Sequence, residues 1–256
     1  MRDDDPPDAA QRGGARVFVK ICGIANETDA LLAAGLGADA VGLIFAPSTR
    51  QVTKDVARDI VRRLPPEILS VGVFRNETRS KVVEIANTIG LRAVQLHGHE
   101  SPEDTRWIAE RVPAVIRAFA VHDPALDHLE EFGRIDLLID APTPGGGEVF
   151  DWSELVARRL DRPFILAGGL GPDNVADAIA TVRPWGVDVA SGVEASPGRK
   201  DPVKLRHFIA NARAAFEALP DPDDDLDSFA SDWITDEQPP SNASPLFDWK
   251  EDPLWK

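Results

Sequence analysis

A single cysteine in 256 residues, Cys22, leaves no partner for an intramolecular disulfide and no set for a cysteine-only metal site. It is therefore either core filling or a reactive thiol. No apolar run approaches the ~20 residues that a membrane span needs. The N-terminal MRDDDPPDAAQRGG carries acids and prolines where a secretory leader shows a basic and then an apolar stretch, so a cytoplasmic, unprocessed chain is expected. A basic excess is missing as well. Of the net charge of −15, −9 falls on residues 221–256, with 11 acids against two lysines, and −1 on residues 1–16, with four acids against three arginines. The remaining −5 describes an ordinary acidic domain without a face for nucleic acid. His122, His128 and His207 show no ligand spacing among them, and no metal is expected.

What is present is regular. Hydrophobic residues make up 43% of the chain, enough for a sizeable core, and the length suits one α/β barrel domain. Short apolar, β-branched runs occur at 16–22, 39–45, 69–74, 92–97, 114–120, 135–139, 163–167 and 186–190. Between them lie stretches with helical spacing, among them ETDALLAAGLG, VARDIVRRL, KVVEIANTI, NVADAIATV and VKLRHFIANARAAFEAL. Eight strands alternating with helices predict parallel βαβ units closed into a (β/α)8 TIM barrel. A doubly wound open sheet is the competing fold, but CGIANE, not a Gly-rich dinucleotide fingerprint, follows the first strand. The predicted organisation is an N-terminal extension (1–15), a barrel domain (16–218) and an acidic tail (219–256) expected to be disordered. The tail holds Trp233, Trp249 and Trp255, and two readings stay open for it. Its aromatics pack on the barrel surface, or its acidic-aromatic motifs dock a partner that the sequence does not identify.

In such a barrel the chemistry lies at the carboxyl ends of the strands. Lys20 and Cys22 close the first strand, Arg50 follows the second, Gln95 and His97 close the fourth, and Asp140 follows the sixth. The seventh and eighth run into AGGLGPDN and ASGVEASPG, small-residue loops that let backbone N–H groups approach an anion. Gly168, Gly169, Ser191 and Gly192 are the candidate phosphate site, the alternative being tight turns alone. Cys22 and Asp140, far apart in sequence, both aim at the barrel mouth, as a two-residue proton shuttle requires. A thiol ordinarily titrates at about 8.5, and a nearby cation such as Lys20, on the same strand face, is expected to bring it down. On position alone, each equally fits a structural role, a buried filler cysteine or a helix-capping aspartate.

The segments VKICGI (19–24), VGVF (71–74), VQLHG (94–98), LLID (137–140), FDWS (150–153), ILAGGLGPDNV (165–175) and VDVASGVEASPGRKD (187–201) resemble, in order and spacing, the phosphoribosylanthranilate isomerases. The match runs over roughly residues 17–216. The resemblance implies an Amadori rearrangement of a phosphorylated small molecule in tryptophan biosynthesis, with no cofactor. It implies Asp140 as general acid, Cys22 as general base, Arg50 at the anthranilate carboxylate and the small-residue loops at the phosphate. Lys20, Gln95 and His97 form the site wall. Two segments depart from the family. The loop FAPSTRQV is shorter than the usual FYPKSPRYV, and Glu148 stands where Lys or Gln is common. Other readings are another phosphosugar barrel isomerase or a non-catalytic phosphate-ligand module. The ketol isomerase of histidine biosynthesis places a carboxylate where this chain has Cys22.

Overall fold

The computed structural model describes residues 17–141, 151–158, 160 and 162–219. Eight strands, β1 (Phe18–Ile21), β2 (Ala40–Ile44), β3 (Leu69–Phe74), β4 (Ala93–Leu96), β5 (Val115–Ala120), β6 (Asp136–Asp140), β7 (Phe164–Leu166) and β8 (Gly186–Val189), pair in parallel in chain order. The register Lys20↔Asp188 lies on the β1–β8 seam that closes the barrel. This is the expected (β/α)8 barrel. The helices are α1 (Glu27–Gly35), α2 (Lys54–Arg63), α3 (Arg79–Ile89), α4 (Pro102–Ala109), α5 (Ser153–Arg158), α6 (Val175–Val182) and α7 (Pro202–Glu217). Only β3 matches its expected bounds at both ends. The others differ by a residue or two, and flanking residues such as Cys22, Phe45, His97 and Ala167 still donate a backbone hydrogen bond to the neighbouring strand. The crossover from β5 to β6 is not an α-helix but a 3-10 segment, Pro124–Phe132, broken at His128. The N-terminal extension, the loop 142–150 with Glu148, and the tail beyond Leu219 lie outside the described residues.

Local signals explain the helix starts. Asn26, Thr53, Ser101 and Asp201 each accept a backbone N–H of the first turn that follows, and Pro102 and Pro202 open α4 and α7 where no N–H is needed. No described helix is long and apolar enough to cross a membrane.

Alternation along each strand then sorts the side chains. Val19, Ile21, Val41, Leu43, Val94, Leu96, Leu137 and Ile139 face the helices. Phe18, Ala40, Leu69, Val71, Ala93, Ile116, Leu138 and Ile165 fill the interior. Because strand parity is two, Lys20 and Cys22 share the inward face with Phe18, Gln95 and His97 share it with Ala93, and Asp140 shares it with Leu138. The interior is therefore apolar at its amino end and polar at its carboxyl end, and that polar layer is the site.

Asp136, at the amino end of β6, has the same parity as Leu138 but sits far from the mouth. Burial pushes its carboxyl up to about 6, against the pull of Arg134. A carboxyl raised in the folded state binds its proton more tightly folded than unfolded. Folding is unpenalised below the unfolded value of 3.8 and is increasingly penalised as pH rises through about 6. Asp136→Asn is expected to raise Tm by about 2 to 4 °C near pH 8 and to leave it unchanged below about pH 4. Thermal melts of both proteins across that range check the sign.

Candidate active site

Cys22 follows β1, fixed by its backbone N–H to the Val189 carbonyl (2.8 Å) and by its own carbonyl, which accepts from Lys200 Nζ (2.7 Å). Its side chain is buried. Burial pushes the thiol up. Lys20, Lys200 and a hydrogen bond from Lys20 act to lower it, while Asp188 adds to the rise, and the net direction is upward. This corrects the expectation of a lowered thiol. The cation is in place, but sequence spacing carries no measure of desolvation, which outweighs it.

Across the mouth, beyond β7 and β8, Asp140 ends β6. Its Oδ1 accepts the Ala141 N–H (2.8 Å) and its Oδ2 lies 3.1 Å from His97 Nε2. His97 Nδ1 in turn lies 2.9 Å from Gln95 Nε2. With the Gln95 amide donating to Nδ1, His97 carries its proton on Nε2 and donates to the Asp140 carboxylate. With the amide turned over, the buried Gln95 Oε1, which otherwise has no partner, accepts from Nδ1–H, and Nε2 accepts the proton of an Asp140 acid. The pair can thus serve either protonation state of Asp140. Gly168 must be glycine here: its φ is +87°, and a Cβ would lie 2.8 Å from Asp140 Oδ1 and 2.5 Å from the Ala141 nitrogen.

Arg50 leaves the loop after β2 and lays its stem across Gly23, whose missing Cβ would fall 2.6 Å from Arg50 Cδ. Its Nε and Nη2 grip Glu194 Oε1 and Oε2, both at 2.8 Å. Glu194 also accepts from Lys200 Nζ (3.2 Å) and the Gly198 N–H (3.3 Å). Glu194 and Lys200 were not singled out from sequence. They meet because β9 (Glu194–Ser196) and β10 (Arg199–Lys200) form a small antiparallel hairpin over the mouth. The Pro-Gly turn in EASPGRK was the available signal.

The glycine loops touch. Gly168 and Gly169 both have positive φ, and Asn174 fastens the turn by accepting from the Gly171 N–H (2.8 Å) and donating to the Gly169 carbonyl (3.0 Å). A Cβ on Gly192 would strike the Leu170 carbonyl, so the two loops pack backbone against backbone. Loop eight does not run straight into a helix. Ser191–Val193 is one 3-10 turn, followed by the hairpin and only then by α7. A cavity of about 300 Å³ adjoins the loops, lined by Gly171, Asn174, Gly192, Lys204 and His207. It contains neither Cys22 nor Asp140.

A buried arginine also missed from sequence braces the His97 segment. Arg117, in the middle of β5, donates to the carbonyls of Leu96 (3.0 Å), Gly98 (3.1 Å) and Glu100 (3.3 Å). Glu100 accepts the N–H groups of Asn76 (2.7 Å) and Gly98 (2.9 Å). A lone Arg inside the apolar run AVIRAFA was the visible sign.

Residues 19–211 match the family model described as N-(5'-phosphoribosyl)anthranilate (PRA) isomerase. The N-(5'-phosphoribosyl)anthranilate isomerase of Desulforudis audaxviator is 50% identical over 205 residues, which is 77% of this chain and 98% of that protein. That of Thermotoga maritima is 46% identical over 203 residues, again 77% and 98%. The crystal structure of the Thermotoga maritima enzyme superposes with a TM-score of 0.72 at 47% identity, covering 77% of this chain and 99% of that one. A phosphoribosyl anthranilate isomerase in complex with reduced 1-(o-carboxyphenylamino)-1-deoxyribulose 5-phosphate superposes at 0.70, with 45% identity and the same coverage.

Proposed function

The chain belongs to the N-(5'-phosphoribosyl)anthranilate isomerase family, and we infer from its site how it catalyses the Amadori rearrangement of N-(5-phosphoribosyl)anthranilate to 1-(2-carboxyphenylamino)-1-deoxyribulose 5-phosphate. It is an isomerase of tryptophan biosynthesis. The observation that carries the mechanism is the convergence of Cys22, Asp140 and Arg50 on one barrel mouth.

Asp140 gives its proton to the furanose ring oxygen. The bond from that oxygen to C1 breaks, and the anthranilate nitrogen lone pair closes a C1=N Schiff base. The Cys22 thiolate then takes the proton from C2, and the freed pair forms the C1=C2 enolamine as the C=N electrons return to nitrogen. The C2 enol loses its hydroxyl proton and C1 gains one, giving the ketone with no net change in atoms or electrons. Once Asp140 has become a carboxylate, His97 Nε2–H is placed to stabilise it.

The phosphate falls to Gly168, Gly169, Ser191 and Gly192. Holding that end fixes the sugar carbons against both proton-transfer groups. Of the expected wall residues, His97 lines the site, while Lys20 and Gln95 are wholly buried behind it. Arg50 meets the anthranilate carboxylate. Glu194 occupies its Nε and Nη2 side, which leaves the Nη1 end of the planar fork to the substrate. Arg50→Lys, which loses the fork and its lock on Glu194, is expected to raise KM by roughly 10- to 100-fold with a smaller change in kcat. Initial-rate measurements over a range of substrate concentration check this split. A cytoplasmic reaction is the natural setting, because a phosphorylated, doubly anionic substrate does not cross a lipid bilayer.

Growth tests the assignment. The intact chain restores growth without tryptophan to an auxotroph lacking this step, and Cys22→Ala does not. Soluble expression without growth would count against it.

A further inference from the structure

Below the catalytic thiol lies an ion pair that the mechanism above does not use. Lys20 is wholly buried and ranks among the largest fully buried side chains of the barrel. Its Nζ donates to Asp188 Oδ1 at 2.9 Å, and strand register places the two residues opposite each other on β1 and β8. A buried ammonium is costly in the core of a domain, and the apolar interior layer beneath it shows how the same space is otherwise filled.

Gly42 shows what the pair faces. On β2, the strand beside β1, this inward position has no side chain, and a Cβ there would lie 2.9 Å from Cys22 Sγ and 3.2 Å from Lys20 Nζ. Sulfur and ammonium meet across the space the glycine leaves open. Lys200 cannot take this place, because its Nζ already donates to the carbonyls of Cys22 and Ala190 and to Glu194. Arg50, the next cation, is engaged by Glu194.

We propose that Lys20, anchored by Asp188, is the positioning residue for the Cys22 base, the counter-charge beside which the thiol gives up its proton. The proposal rests on the reading of Cys22 as general base. Asp188 favours the charged ammonium: burial acts to lower its pKa, yet Asp188 and Cys22 together hold Lys20 above its ordinary value. Around the sulfur, Lys20 and Lys200 favour the thiolate and Asp188 opposes it, with Arg50 also in electrostatic reach. Asp140 and His97 stand on the far wall. Removing Lys20 removes the cation that, among the described residues, hydrogen-bonds the sulfur, so the thiolate becomes harder to form.

The composition allows a direct measurement. With one cysteine and no tyrosine, the ultraviolet absorbance of the thiolate can be titrated in the full chain without tyrosinate overlap, using Cys22→Ser as the blank. Lys20→Met is expected to move the Cys22 midpoint up by about 1 to 3 units. The same variant should lower kcat near neutral pH by roughly 10-fold or more, with KM little changed and with activity recovering as pH rises. Lys20→Met combined with Asp188→Asn removes both charges, keeps the fold if the single variant loses it, and should show a smaller shift that is still upward, since Asp188 opposes the thiolate less than Lys20 favours it. An unmoved midpoint in whichever variant folds overturns the proposal. A shifted midpoint with full activity retained by Cys22→Ser would instead uphold the electrostatic pairing and overturn the assignment of Cys22 as the base.

Discussion

Cys22→Ser is expected to lower kcat by on the order of 10³-fold, with the melting temperature close to that of the parent chain and KM little changed. The substitution keeps size and position, since the backbone N–H of residue 22 still reaches the Val189 carbonyl and its carbonyl still accepts from Lys200. What is lost is a group that can be deprotonated in water. A serine hydroxyl beside Lys20 and Lys200 remains protonated at any pH at which the protein is folded, so no base faces C2. Raising the pH should increase the rate of the parent until the thiolate is fully formed, because burial holds that thiol above its ordinary value. The serine variant should show no such rise. Equal pH profiles for the two proteins would mean that another group takes the proton.

Asp140→Asn is the second large effect, a loss of roughly 10² to 10⁴ in kcat. The asparagine oxygen can still accept the Ala141 N–H, its amide NH2 in the place of Oδ2 can donate to His97 Nε2 once Gln95 Oε1 takes the Nδ1 proton, and the side chain fits against Gly168 as the aspartate does. The variant should therefore fold and bind substrate as before. It has no acidic proton for the ring oxygen, so the furanose stays closed and the enolamine never forms. Steady-state kinetics with a parallel thermal melt separate this from unfolding. Retention of a tenth or more of the parent kcat would move the acid's role to His97 or to water.

The alternation of apolar runs with helical spacing was enough for the barrel, because each strand is short, buried on both faces and separated by its helix from the next. The proposed proton-transfer pair was legible only in part: Cys22 and Asp140 stand at the ends of apolar runs, where position equally fits a buried filler or a helix cap, and the resemblance supplied their roles. Partnerships across the barrel were not legible. Lys20 and Asp188 are 168 residues apart, and only the closing register of β1 on β8 sets them side by side. Glu194 and Lys200 needed a hairpin whose strands are three and two residues long, too short to give a period. The direction of the Cys22 shift was misjudged because it depends on how much water reaches the sulfur, a property of the packed mouth and not of the spacing between Lys20 and Cys22.

The central claim is that this barrel mouth performs the rearrangement. Its most direct test is a fluorescence assay in which N-(5-phosphoribosyl)anthranilate is generated fresh and its consumption followed on addition of the purified chain. Turnover at a rate typical of biosynthetic enzymes, on the order of 1 to 10³ per second, and abolished in Cys22→Ser and Asp140→Asn alike, is the predicted result. A folded parent chain that leaves the substrate to its uncatalysed decay would contradict it.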